Sequence, residues 1–106
     1  MTSIPNISLL VAGPARARPL VLLHGVGSNA RSFSSLVADL GRERRLVAWD
    51  CPGYGGSAPL EKAHPTATDY AAALEHVLDW LGIDTFDLLG HSMGALIAGR
   101  AATVLG

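Results

Sequence analysis

The 106 residues hold a single cysteine, Cys51, so no disulfide can form within the chain. A lone thiol suits a reducing compartment, and by type Cys51 reads as a small buried hydrophobe. Charge is scarce as well: 16% of residues are charged, below the usual quarter of a soluble protein, and the formal net charge is -1. No basic run exceeds Arg44-Arg45, so the sequence lacks the electrostatic footprint of a nucleic-acid or anionic-membrane binder, and both partners are excluded. No apolar run reaches the length of a membrane span, and Met1 to Asn6 lacks the basic start of a secretory signal. Cytoplasm is the expected location. No metal site and no cofactor is implied.

What the chain has is apolar sequence, 49% of it, in short blocks broken by glycine and proline. Ile7 to Ala12 ends at Gly13-Pro14, and Leu20 to Leu23 opens after Pro19 and ends at His24-Gly25. These two blocks, Leu46 to Trp49 and Phe86 to Leu89 read as strands. Phe33, Leu36, Val37 and Leu40 recur at helical spacing before Gly41, which predicts an amphipathic helix with a glycine stop. Thr66-x-x-Asp69 resembles a capping box, after which Tyr70, Leu74, Val77, Leu78 and Leu81 line one face until Gly82. From Ser92 to Leu105 the chain is apolar nearly all round, with Arg100 its one charge, so this helix expects cover on several sides. Near-continuous apolar strands alternating with helices predict an α/β unit: a mostly parallel sheet with helices on both faces, spanning residues 1–106 as one domain.

The chemistry concentrates where the last strand ends. Phe86-Asp87-Leu88-Leu89-Gly90-His91-Ser92-Met93-Gly94 reads as strand, sharp turn, helix, with Ser92 on a strained nucleophile elbow and its hydroxyl thrust out of the sheet. A side chain at position 90 or 94 would collide with the strand and helix packed around so abrupt a turn. The pentapeptide by itself is weak, since in a chain with 12 glycines it arises by chance roughly once in ten such sequences.

Context strengthens it. His24-Gly25-Val26-Gly27 follows the second strand, Asp50-Cys51-Pro52-Gly53-Tyr54-Gly55-Gly56-Ser57 follows the third, and the elbow follows the fourth. In this order and at these strand ends the three motifs resemble the α/β-hydrolase family, over roughly residues 6 to 106. The resemblance implies the N-terminal portion of that fold, a serine nucleophile at Ser92, and an oxyanion hole built from the backbone N–H groups of Val26 and Met93. It also implies hydrolysis of an ester, a lactone or an activated carbon-carbon bond in a small apolar substrate. Serine at position 92 argues against the branches that use a carboxylate nucleophile, and leaves esterase, enol-lactonase, carbon-carbon hydrolase and cofactor-free haloperoxidase open.

A rival lies in the same residues. Gly25-x-Gly27-x-x-Ala30 follows a strand and opens a helix, with Asp50 ending the next strand twenty residues on, the spacing of a dinucleotide-binding fingerprint. That reading leaves His24, the 52–56 loop and the elbow unexplained. His24 is expected to fix the oxyanion loop by hydrogen bonding, with a substrate contact from His24 and Gly25 as the further expectation. His91 is expected to pack away from Ser92, Asp50 to hold structure, and His64 and His76 to be solvated.

Nothing after Ser92 is Asp, Glu or His, whereas the family orders its triad Ser, acid, His. The expectation is therefore a chain lacking the later strands, the lid, and the catalytic acid and histidine, inactive by itself, with Phe86 to Leu89 left at a sheet edge. A non-catalytic binding module on the same scaffold is the alternative.

Overall fold

A computed structural model describes residues 2–4 and 6–105. Five strands form one sheet: β1 (Thr2–Ile4), β2 (Ile7–Ala12), β3 (Pro19–Leu23), β4 (Arg45–Trp49) and β5 (Asp87–Gly90), in the order β1-β2-β4-β3-β5. β4, β3 and β5 are parallel, with Leu20 opposite both Leu46 and Asp87. β2 joins β4 antiparallel, and β1 folds back on β2 as a hairpin whose turn holds Asn6 in the left-handed region at φ 72°. The sheet is thus mixed, its site-bearing part parallel. β1 is a strand that periodicity does not reveal, because three residues are too few to show a period.

Strand side chains alternate between two faces, and here both faces are covered. On one side Leu22, Leu46 and Ala48 pack with Ala30, Phe33, Leu36 and Val37. These come from a 3-10 turn, Ala30–Phe33, and from α1, Ser34–Leu40. On the other side Val21, Leu23, Val47 and Trp49 pack against α2 (Ala67–Leu81) and α3 (Met93–Leu105) through Ala71, Leu74, Val77, Leu78, Ile97 and Ala101. Because both alternating sets are apolar, the strands read as continuous hydrophobic runs, and each fully buried leucine contributes about 2 kcal/mol.

The local signals of α2 hold. Thr66 Oγ1 accepts from the Asp69 N–H and Asp69 Oδ2 accepts from the Thr66 N–H at 2.8 Å, a complete capping box, and Gly82 closes the helix at φ 72°. Two local expectations need correction. The first helix opens as a 3-10 turn, and Leu40, expected on its apolar face, is 40% exposed and does not join the cluster formed by Phe33, Leu36 and Val37. The last helix begins at Met93, since Ser92 has a non-helical backbone. As expected, β5 stands at the sheet edge and α3 is short of cover: Leu89 is 39% exposed and Leu96 71%. Among the described residues, no helix is long and apolar enough to cross a membrane.

Candidate active site

The parallel strands β3, β4 and β5 all end on one side of the sheet, so the three sequence motifs converge there. At the end of β5 the chain reverses direction within two residues. The His91 N–H donates to the Leu23 carbonyl at 3.0 Å, and Gly94 and Ala95 donate back to His91 and Ser92. Closing this turn forces Ser92 to φ 58°, a conformation that costs an L-residue about 1–2 kcal/mol. The flanking glycines are steric necessities. A Cβ on Gly94 would run into the Leu23 carbonyl, and one on Gly90 would run into the Gly94 carbonyl. Ser92 is exposed at the mouth of the turn.

The loop after β3 is fixed from beneath by His24, which is 1% exposed. Its Nε2 accepts from the Cys51 N–H at 2.9 Å, so the proton resides on Nδ1, which donates to the Gly25 carbonyl at 2.9 Å. Carbonyl and N–H of one trans peptide point in opposite directions. Pinning the Gly25 carbonyl inward therefore turns the Val26 N–H outward. Among the described residues, neither the Val26 nor the Met93 N–H meets a protein acceptor.

Asp50 ties the remaining loops together. Its Oδ1 accepts from the Ala30 N–H at 2.8 Å and its Oδ2 from the Gly56 N–H at 3.0 Å, while its carbonyl accepts from Ser57 Oγ. A Cβ on Gly55 would strike this carboxylate, which accounts for the glycine there. Each carboxylate oxygen is bonded to a backbone donor and only 4% of the residue is exposed, so Asp50 serves to hold these loops together. The dinucleotide reading of Gly25, Gly27 and Asp50 would need that carboxylate for a ribose hydroxyl, and the geometry favours the structural role instead.

A cavity of about 460 Å³ opens over the elbow, lined by Gly25, Val26, Phe33, Leu89, His91 and Ser92, with Ser28 and Ser32 beside them. Gly25 lines the cavity. His24 is not among the residues lining it: its ring lies under the loop with both nitrogens bonded to backbone groups. His91 departs from expectation in the other direction, being exposed and part of the cavity wall, its Nδ1 close to where a Gly25 side chain would stand. Phe33 and Leu89 were legible only as helix and strand residues. His64 and His76 are exposed. Cys51 is buried, and burial pushes its thiol up to about 12, which removes it from nucleophilic chemistry.

This arrangement is that of a known family. The alpha/beta hydrolase fold model matches residues 18–104, and the chain belongs to that family. It is 42% identical over 91 residues to the pimeloyl-[acyl-carrier protein] methyl ester esterase of Edwardsiella ictaluri, covering 83% of this chain and 32% of that protein. It is 37% identical over 94 residues to a serine hydrolase-like protein of Danio rerio, covering 84% and 28%. Among solved structures, the naproxen esterase of Bacillus subtilis superposes with a TM-score of 0.85 at 33% identity, over 93% of this chain and 35% of that one. Relatives further include an N-acyl homoserine lactonase and a 2-hydroxy-6-oxo-2,4-heptadienoate hydrolase. The chain spans only 28 to 32% of the length of these two curated relatives.

Proposed function

We propose that this chain carries the nucleophile and oxyanion half of a serine hydrolase site. Ser92 Oγ attacks the carbonyl carbon of an ester, lactone or activated ketone, and the N–H groups of Val26 and Met93 receive the negative charge that develops on the carbonyl oxygen. The alcohol or carbon leaving group departs with a proton, and water hydrolyses the acyl-serine. Each oxyanion donor supplies about 3 kcal/mol of transition-state stabilisation, because it is aimed before the reaction begins. The observation that carries the reading is the strained φ of 58° at Ser92, a non-glycine residue held in the left-handed region at the lip of the cavity. The cavity wall favours a small, largely apolar acyl group, since Val26, Phe33 and Leu89 form much of it and, among the described residues, no Asp, Glu, Lys or Arg lines it.

A serine hydroxyl needs a positioned base. Residues 93–106 contain no Asp, Glu or His, so in this reading the acid and the base come from chain beyond the 106 residues, whose later strands would continue one hydrolase domain. The cytoplasm is the proposed setting.

The test is a fluorophosphonate probe applied to the protein together with its acid- and base-bearing partner sequence, followed by peptide mass spectrometry. The tag is expected on Ser92, and Ser92→Ala abolishes it. A tag on any other serine overturns the assignment. Ester turnover by the 106-residue chain alone that vanishes in His91→Ala would place the base on the exposed cavity histidine instead.

A further inference from the structure

The loop after β4 aims one aromatic side chain at the site. Tyr54 is held at both backbone ends, its N–H donating to the Cys51 carbonyl at 2.8 Å and its carbonyl accepting from the Ser57 N–H at 2.9 Å. Its half-buried ring meets His24 edge-on, with centroids 5.3 Å apart and planes at 63°. Its hydroxyl donates to Met93 Sδ at 3.7 Å.

His24 pins the Gly25 carbonyl and so aims the Val26 N–H, while Met93 is itself the second donor residue. The two donors sit on loops after different strands, and an oxyanion hole works only when both reach one oxygen at hydrogen-bond distance. Strand pairing of Leu23 with Gly90 sets the spacing at the base of these loops. Beyond that point Val26 is 70% exposed and takes little support from packing. One ring touches the side chains behind both donors.

We propose that Tyr54 is a positioning residue that holds the Val26 and Met93 amides in register with each other. The proposal rests on the reading of those two amides as oxyanion donors. The hydroxyl restrains Met93 through its sulfur, and the ring edge stops His24 from tilting and releasing the Gly25 carbonyl. The role needs an aromatic ring for His24 and a hydroxyl for Met93, which tyrosine alone combines.

The experiment is amide and methionine-methyl NMR on the labelled protein, where Met93 and Met1 are the two methionines. Tyr54→Phe keeps the ring against His24 and removes the hydroxyl. The Met93 methyl and amide signals shift, and the Val26 amide stays. Tyr54→Leu removes the ring, so the Val26 amide shifts as well and exchanges faster with solvent. Val77→Ala, a core truncation on the buried face of α2, lowers the melting temperature yet leaves both amides in place, which separates positioning from general loss of stability. Unmoved Met93 signals in Tyr54→Phe overturn the proposal, as does an unmoved Val26 amide in folded Tyr54→Leu. If Tyr54→Leu does not fold, Tyr54→Phe decides alone. Absence of a phosphonate tag at Ser92, with the amide shifts as expected, would refute the nucleophile reading and leave the coupling through Tyr54 standing.

Discussion

Replacing Asp50 by alanine strips the acceptor from two backbone donors at once. The two are not equivalent. Ala30 is fully buried, so its N–H loses its partner in a dry environment, at a cost of about 1–3 kcal/mol. Gly56 is exposed, so water replaces most of its bond and the loss there is about 1 kcal/mol or less. Together Asp50→Ala should destabilise the fold by about 1–4 kcal/mol, a large share of the roughly 5–15 kcal/mol that domains possess. Asp50→Asn keeps the shape and the acceptor for Ala30 but turns an NH₂ toward the Gly56 N–H, and should cost about 1 kcal/mol. Urea unfolding followed by tryptophan fluorescence reads this directly, because Trp49 is 1% exposed and adjacent to Asp50, whereas Trp80 is 54% exposed and barely changes environment. An Asp50→Ala midpoint within error of the wild type would refute the reasoning, and would mean that the carboxylate does not hold the 28–30 and 55–57 segments together.

Ser92→Gly should raise stability by up to about 1 kcal/mol, because glycine relieves the strain at φ 58° and returns part of that gain as backbone entropy; Ser92→Ala keeps the strain, and no gain over wild type in the melting temperature of Ser92→Gly would show the elbow to be unstrained. Cys51, its thiol pushed up to about 12 by burial, should resist iodoacetamide in the native protein at mildly alkaline pH and react once guanidinium unfolds it; native labelling would contradict its burial. Asp69 is lowered from 3.8 to about 2, first by the Thr66 N–H and then by Lys62. A depressed carboxylate stabilises the fold above its unfolded value and loses that contribution as pH falls through the folded one, so the melting temperature should drop between about pH 4 and 2 in the wild type and less steeply in Asp69→Ala. Equal slopes in the two proteins would show that the capping box carries no pH dependence.

What can be read along the chain is whatever closes within a few residues. The Thr66–Asp69 box and the Gly82 stop are legible because capping bonds span one helical turn. The elbow is legible in its glycine pattern: a Cβ on Gly90 would strike the Gly94 carbonyl within the turn itself, whereas Gly94 answers to the Leu23 carbonyl on β3, a contact that only the tertiary structure supplies. Strand identity and the two-sided cover follow from unbroken apolar runs, since both alternating sets of side chains must be buried.

Side-chain direction is not local, and only tertiary structure decided it. His24 and His91 both stand beside glycine in their motifs, yet one is buried and the other walls the cavity. The difference arises because Cys51, from the loop after β4, offers its N–H to the His24 ring, a contact between residues 27 apart in sequence. Asp50 likewise fits two fingerprints by spacing, and its meaning emerges only when the Ala30 and Gly56 amides are seen on its oxygens. Arg18 and Arg44, on separate loops, meet at Asp87 because β3, β4 and β5 lie side by side, an adjacency that their order in the sequence does not reveal. Short-range sterics and hydrogen bonding determine the elements and the turn that bears Ser92. The order of strands in the sheet determines which side chains those turns bring together.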